Sequence, residues 1–133
     1  MQFIVKRDIL LKSLNFVQGV VEKKNTLPIL SNVLLQLSDK KLSIVATDLD
    51  IVFYDEINEV NIIKEGSTTT SAAILHDILK KISSNSDLNF DLKTENKLSL
   101  KSDNSDFNLL CLPTDNFPTF ADEFESKEIL LNN

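Results

Sequence analysis

Ser67-Thr-Thr-Thr-Ser-Ala-Ala-Ile-Leu-His-Asp-Ile-Leu-Lys-Lys-Ile-Ser83 changes its periodicity once, and that change decides the fold. Ser67 to Ser71 is short and β-branched, which predicts a strand. From Ala72 to Ser83 the apolar residues Leu75, Ile78, Leu79 and Ile82 recur at helical spacing, with one face to bury. Downstream the period returns to two in Leu88/Phe90/Leu92, Leu98/Leu100 and Phe107/Leu109/Cys111, predicting three strands. Polar turns at Thr94-Glu95-Asn96 and Ser102-Asp103-Asn104 separate them. These turns are too short for a crossover, so the strands are expected to pair antiparallel.

The same order occurs upstream. Gln2 to Lys6 reads as a strand. A helix is expected from Arg7 to about Val21, burying Leu10, Leu11, Leu14, Val17, Val20 and Val21. Lys12, Asn15 and Gln18 lie off that stripe, and Gly19 weakens the helix end. Pro28 cannot continue a helix and pushes Leu27 into an extended conformation. Val33/Leu35/Leu37 and Leu42/Ile44/Ala46 then alternate around a polar turn at Ser38 to Lys41, and residues 51–63 read as one longer strand. Residues 2–63 and 67–111 thus each read strand, helix, three strands. The expected class is α+β, a duplicated βαβββ unit with two helices packed on antiparallel sheets.

A chain of 133 residues is one domain. Residues 1–126 are assigned to it; the acidic, irregular tail ends in Glu128-Ile129-Leu130-Leu131, and residues 127–133 are expected to start the connection to a second domain. No apolar run approaches the roughly 18 residues of a membrane helix, and the N-terminus lacks a secretory pattern. The single cysteine, Cys111, excludes an internal disulfide framework and reads as a small buried hydrophobe. Together these features predict a cytoplasmic protein with no membrane association. The net charge of −6 argues against a generic polyanion-coating protein. Residues 1–24, however, carry +3 from five basic and two acidic side chains, leaving −9 on the remainder. Such a chain can be positive on one side only.

Catalytic chemistry is hard to place. His76 stands beside Asp77 with no serine or cysteine nucleophile in position to pair with it. The two glycines, Gly19 and Gly66, make no phosphate loop, and no ligand spacing supplies a metal centre. Thr47-Asp48-Leu49-Asp50 could hold Mg²⁺, but reads more simply as an acidic turn between strands. No cofactor is expected.

Three fragments carry a resemblance: Thr26-Leu27-Pro28-Ile29-Leu30-Ser31-Asn32 after the first helix, Ala46-Thr47-Asp48-Leu49 after the third strand, and Leu112-Pro113 to Phe117-Pro118. In this order, on a duplicated βαβββ frame, they resemble the N-terminal domain of the bacterial DNA polymerase III beta subunit, the replicative sliding clamp. The resemblance implies a non-catalytic processivity factor. In that family two three-domain protomers close head to tail into a ring, sheets outside, helices lining a hole around duplex DNA. Lysines on the inner wall would make weak, sequence-blind phosphate contacts that let the ring slide. Lys24 matches a basic DNA-contacting loop position of the family, and Arg7, Lys12 and Lys80 are candidates for the channel wall. Ring closure in the family uses the second helix and an edge strand, matched here by Ile74, Ile78 and Ile82 with Phe107 and Leu109. The catalytic polymerase subunit and the clamp loader would be engaged through domains absent from this chain.

Three departures stand out. Asn116 replaces a usual acidic residue, Ala73 replaces a frequent basic one, and the sequence covers a single domain. Two other readings stay open on the residues alone. One is a β-rich protein-interaction module whose lysines only solubilise it. The other is an acid–base enzyme using Asp48, Asp50 or His76.

Overall fold

The structure, a computed structural model, describes residues 1–21, 28–102 and 105–118. Their order is β1 (Gln2–Lys6), α1 (Arg7–Val17), β2 (Asn32–Ser38), β3 (Lys41–Thr47), β4 (Val52–Ile57), β5 (Val60–Lys64), β6 (Gly66–Ser71), α2 (Ala72–Lys81), β7 (Asp87–Thr94), β8 (Lys97–Ser102) and β9 (Ser105–Leu112). Short 3-10 turns occupy Pro28–Ser31 and Thr114–Asn116. The strands pair in the order β4-β3-β2-β6-β9-β8-β7-β1-β5. Every pairing is antiparallel, as expected.

The two units exchange their first strands. β1 pairs with β7 of the second unit, and β6 pairs with β2 of the first. Each helix therefore carries the chain from one half of the sheet to the other. The cores superpose in sequence. Leu10, Leu14 and Val17 on α1 correspond, at a constant offset of 65, to Leu75, Leu79 and Ile82, and all six are buried. The strand cores repeat likewise, with Val33 and Leu35 on β2 answered by Leu88 and Phe90 on β7. Phe3 on β1 stacks on Phe90 with ring centroids 4.7 Å apart, locking the exchanged strand to its host.

Two expectations are corrected. Residues 51–63 form two strands that break at Asn58-Glu59, β4 running beside β3 and β5 beside β1. In the second unit β9 crosses without a break, lying along β8 and then, at Cys111 and Leu112, against β6. Helix α1 stops at Val17 rather than near Val21. The amides of Gly19 and Val20 turn back to the carbonyls of Phe16 and Val17, three residues earlier. Val20 and Val21 still pack on the core from this turn, so their apolar spacing marked burial and not helix.

Local chemistry fixes the turns and caps. The β2–β3 hairpin turns on Asp39 and Lys40, both at positive φ (52° and 65°), a two-residue turn whose twist matches the strands. Helix α2 starts where the Ser71 hydroxyl accepts the Ile74 amide at 3.2 Å. Gly66 opens β6 at φ 154°, against the chain start: a Cβ there would stand 2.9 Å from that of Met1. Met1 itself is buried, and its carbonyl accepts the Leu92 amide at 3.0 Å. Gly66→Ala is therefore expected to lower unfolding free energy by about 1–3 kcal/mol in denaturant titration. Ser71→Ala should cost about 1 kcal/mol by removal of the cap alone.

Candidate nucleic-acid and subunit interfaces

Helices α1 and α2 lie antiparallel and are joined by side chains at both ends and in the middle. The Arg7 Nε donates to the Leu79 carbonyl at the end of α2 (2.8 Å). At the other end the Gln18 amide donates to the Ala72 carbonyl (3.3 Å). Between them His76 Nε2 meets Asn15 Oδ1 at 2.8 Å. Arg7 also donates from Nη1 to Asp8 (2.9 Å), and Asp8 accepts from the Ser84 hydroxyl and the Asn85 amide. The start of α1 is thus tied to both the end and the exit turn of α2.

The candidate residues separate on this frame. Arg7 is a staple between the helices, with its guanidinium committed on two sides. Lys80 is exposed one turn beyond His76 on the same row of α2, so it lies on the solvent side of the helix pair. Its neighbour Lys81 is also exposed and was not singled out by sequence; two cations in the last turn also suit the helix dipole. Lys12 is exposed and borders a lateral groove between α1 and β4. Lys24 lies outside the described residues.

The five apolar candidates also divide. Ile82 and Leu109 sit in the core, 7% and 2% exposed, and Ile78 and Phe107 pack partly buried against it. Ile74 is 55% exposed. Beside it the structure places two residues that sequence reading missed, Leu110 at 84% and Leu112 at 37% exposure. The signal for them was Leu109-Leu110-Cys111-Leu112, an apolar run that puts hydrophobes on both faces of one strand. With Ile74, Asn108 and Asn32 they line a groove of about 400 Å³ between α2 and β9. Its geometry is held from behind. The Thr70 hydroxyl donates to the Leu110 carbonyl (3.0 Å), and that of Thr69 to the Leu112 carbonyl (2.7 Å).

Related by the internal duplication, the groove between α1 and β4 is lined by Ile9, Lys12, Phe16, Phe53, Asp55 and Glu59, among others. Phe16 is 60% exposed and stacks on Phe53 at 6.1 Å. Ser13, buried beneath it, bonds to Asp55.

Of the residues considered for acid–base chemistry, the side chains of Asp48 and His76 have structural partners. Asp48 Oδ1 accepts the amides of Asp50 (2.9 Å) and Ile51 (2.7 Å), and the Thr47 hydroxyl accepts the Leu49 amide while donating to the Ile51 carbonyl. This closes an acidic turn around Leu49, which is held at φ 82°. Among the described residues no group of three or more His, Cys, Asp or Glu could hold a metal ion. None of their helices is long and apolar enough to cross a membrane.

The Arg7 guanidinium, more than the Ser84 hydroxyl, holds the Asp8 carboxyl below its ordinary pKa. A depressed carboxylate stabilises the fold above its unfolded pKa, and that contribution fades as pH falls through the folded value. Asp8→Asn is therefore expected to destabilise the protein at neutral pH, with the difference from the parent chain shrinking below about pH 4. Thermal melts from pH 7 to pH 2.5 measure this.

Comparison with known proteins bears directly on this arrangement. Residues 1–121 match the family model described as DNA polymerase III beta subunit, N-terminal domain. A beta sliding clamp from Caulobacter vibrioides is 36% identical over 133 residues, covering 99% of this chain and 36% of that protein. One from Vibrio harveyi is 32% identical, covering 98% of this chain and 90% of that sequence. A Caulobacter crescentus pol III beta structure superposes with a TM-score of 0.84 at 38% identity, over 91% of this chain and 32% of its own. The chain thus spans about a third of the length of several relatives it matches, and it belongs to the DNA polymerase III beta subunit family, matching its N-terminal domain.

Proposed function

We propose that this chain is the first domain of a ring-shaped sliding clamp, a non-catalytic processivity factor that encircles duplex DNA and tethers a replicative polymerase. The observation that carries this reading is the family match over residues 1–121. The site geometry supports it. A helix pair stapled at three points makes a firm wall, and the exposed Lys80 and Lys81 form no ion pair among the described residues. Such cations exchange readily between phosphates. Lys12 and Lys24 would add to the same contacts, whereas Arg7 positions the helices.

In this reading the protein closes head to tail with a second copy, Ile74 with the α2 and β9 edge forming this domain's side of the junction. The polymerase catalytic subunit and the clamp loader engage domains that follow this one. Residues 127–133 would lead toward them and lie outside the described residues. The protein would act in the cytoplasm, where the chromosome is copied. The bonded roles of the His76 and Asp48 side chains support a non-catalytic part.

The test uses the natural protein that carries this domain, loaded by a clamp loader onto nicked circular DNA. Retention on circles, with rapid loss once they are linearised, is the expected result. Equal retention on both forms would refute encirclement and favour a protein-interaction module. Combined Lys12→Ala, Lys80→Ala and Lys81→Ala substitution should leave retention on circles intact. It should flatten the slope of log affinity against log salt by up to about 0.9 per lost phosphate contact.

A further inference from the structure

The nine-stranded sheet is two half-sheets that meet along one short seam. β4, β3, β2 and β6 form one half, and β9, β8, β7, β1 and β5 the other. Within each half, neighbouring strands share ladders of four to six residue pairs. Between the halves only Thr69 pairs with Leu112 and Thr70 with Cys111. The duplication-related strand bridges nothing, because it breaks at Asn58-Glu59 into β4 on one half and β5 on the other. Among the described residues a single two-pair ladder therefore joins the half-sheets.

The chemistry of the seam is as unusual as its length. A strand buried on both faces is ordinarily a continuous apolar run. Here β6 carries Thr68, Thr69 and Thr70, all buried. The Thr69 hydroxyl accepts from the Asn32 side-chain amide (3.1 Å) and donates to the Leu112 carbonyl, as Thr70 does to that of Leu110. Side-chain hydroxyls thus extend a ladder that the backbone leaves short. Each such bond has a small net worth, because water replaces it when the seam parts. On the outer side Leu110 and Leu112 stay exposed, so closing the seam buries little apolar surface there. The end of β9 is meanwhile tied to its own half, where the Cys111 amide donates to the Asn96 carbonyl of the β7–β8 turn at 3.0 Å.

We infer that the β6/β9 seam is an opening line built into the domain: the half-sheets part between Thr69-Thr70 and Cys111-Leu112 while every other ladder stays paired. The opening uncovers Cys111, which is 4% exposed while the seam is closed, and it needs no global unfolding. It gives the domain one direction in which to yield. The device belongs to the fold and does not depend on the clamp reading.

The natural protein that carries this domain is treated with iodoacetamide across sub-denaturing urea, and the mass of the peptide bearing Cys111 reports its labelling. Opening along the seam exposes little surface, so the labelling rate is expected to change little with urea. Amide hydrogen exchange in β2 and β7 should rise steeply with it. Thr69→Val and Thr70→Val keep the shape of the strand and remove the hydroxyls. Each should speed labelling by about fivefold, the factor one such bond is worth. Ile44→Val, buried on β3 two strands from β6, lowers the stability of the whole domain and should leave labelling unchanged.

Labelling that follows urea as steeply as exchange in β2 and β7 would overturn the inference, since Cys111 would then be reached only by unfolding the whole domain. An unchanged rate in both threonine variants would do the same, as would acceleration by Ile44→Val.

Discussion

The pairing of β1 with β7 is the constraint on which the molecule depends. It joins Gln2 to Asp91 and Lys6 to Asp87 across almost the whole described sequence, and its reciprocal, β6 with β2, completes the exchange. Neither βαβββ unit can close its own sheet, because each lacks the first strand that its partner supplies. A helix that must leave one half of the sheet and return on the other crosses its twin in the opposite direction. The antiparallel helix pair follows from the strand exchange. Arg7, Gln18 and the Asn15–His76 contact then fix its spacing. Pairings this distant in sequence carry a large loop-closure cost before they return any stabilisation, so folding is expected to be slow for the chain's size.

Duplication preserved what is buried and released what is not. Across the offset of 65, Leu10/Leu75 and Leu14/Leu79 keep identity as well as burial. On the surface Lys12 answers to Asp77 and Phe16 to Lys81, pairs with no chemistry in common. Close packing explains the first, since a core position tolerates little change in volume. Nothing comparable restrains the second. A twofold scaffold could thus acquire two different edges without disturbing its core.

Much of this was legible in the sequence, and the failures have definite causes. Both helices and their buried rows were readable because a switch between periods of 3.6 and 2 is a strong signal. The break at Asn58-Glu59 was not, because strand chemistry runs on through both neighbours. The row Ile74, Ile78 and Ile82 shows a subtler limit. Four residues advance 400° around a helix, so an i, i+4 row drifts by about 40° at each step. Ile74 consequently stands on the surface, Ile78 half in, and Ile82 in the core. Likewise, charge alone cannot distinguish a lysine that faces solvent from an arginine that staples two helices. Arg7 could be placed only by finding the Leu79 carbonyl beside it.

The commitment of Arg7 also bears on how a ring of this kind can slide. A guanidinium free in the channel would fork onto phosphate through two parallel bonds, a contact with fixed geometry and slow exchange. Here that group is turned to structural work, and the cations left on the helix faces are lysines, compact point charges on flexible stems. In the proposed clamp, retention comes from closure of the ring, so affinity for DNA can be small without loss of function. Strong contacts would instead oppose movement along the duplex. An acidic body with a few mobile ammonium groups on its helix side satisfies both requirements. In that proposal it would repel DNA from the outer sheet and offer the enclosed duplex contacts weak enough to break at every step.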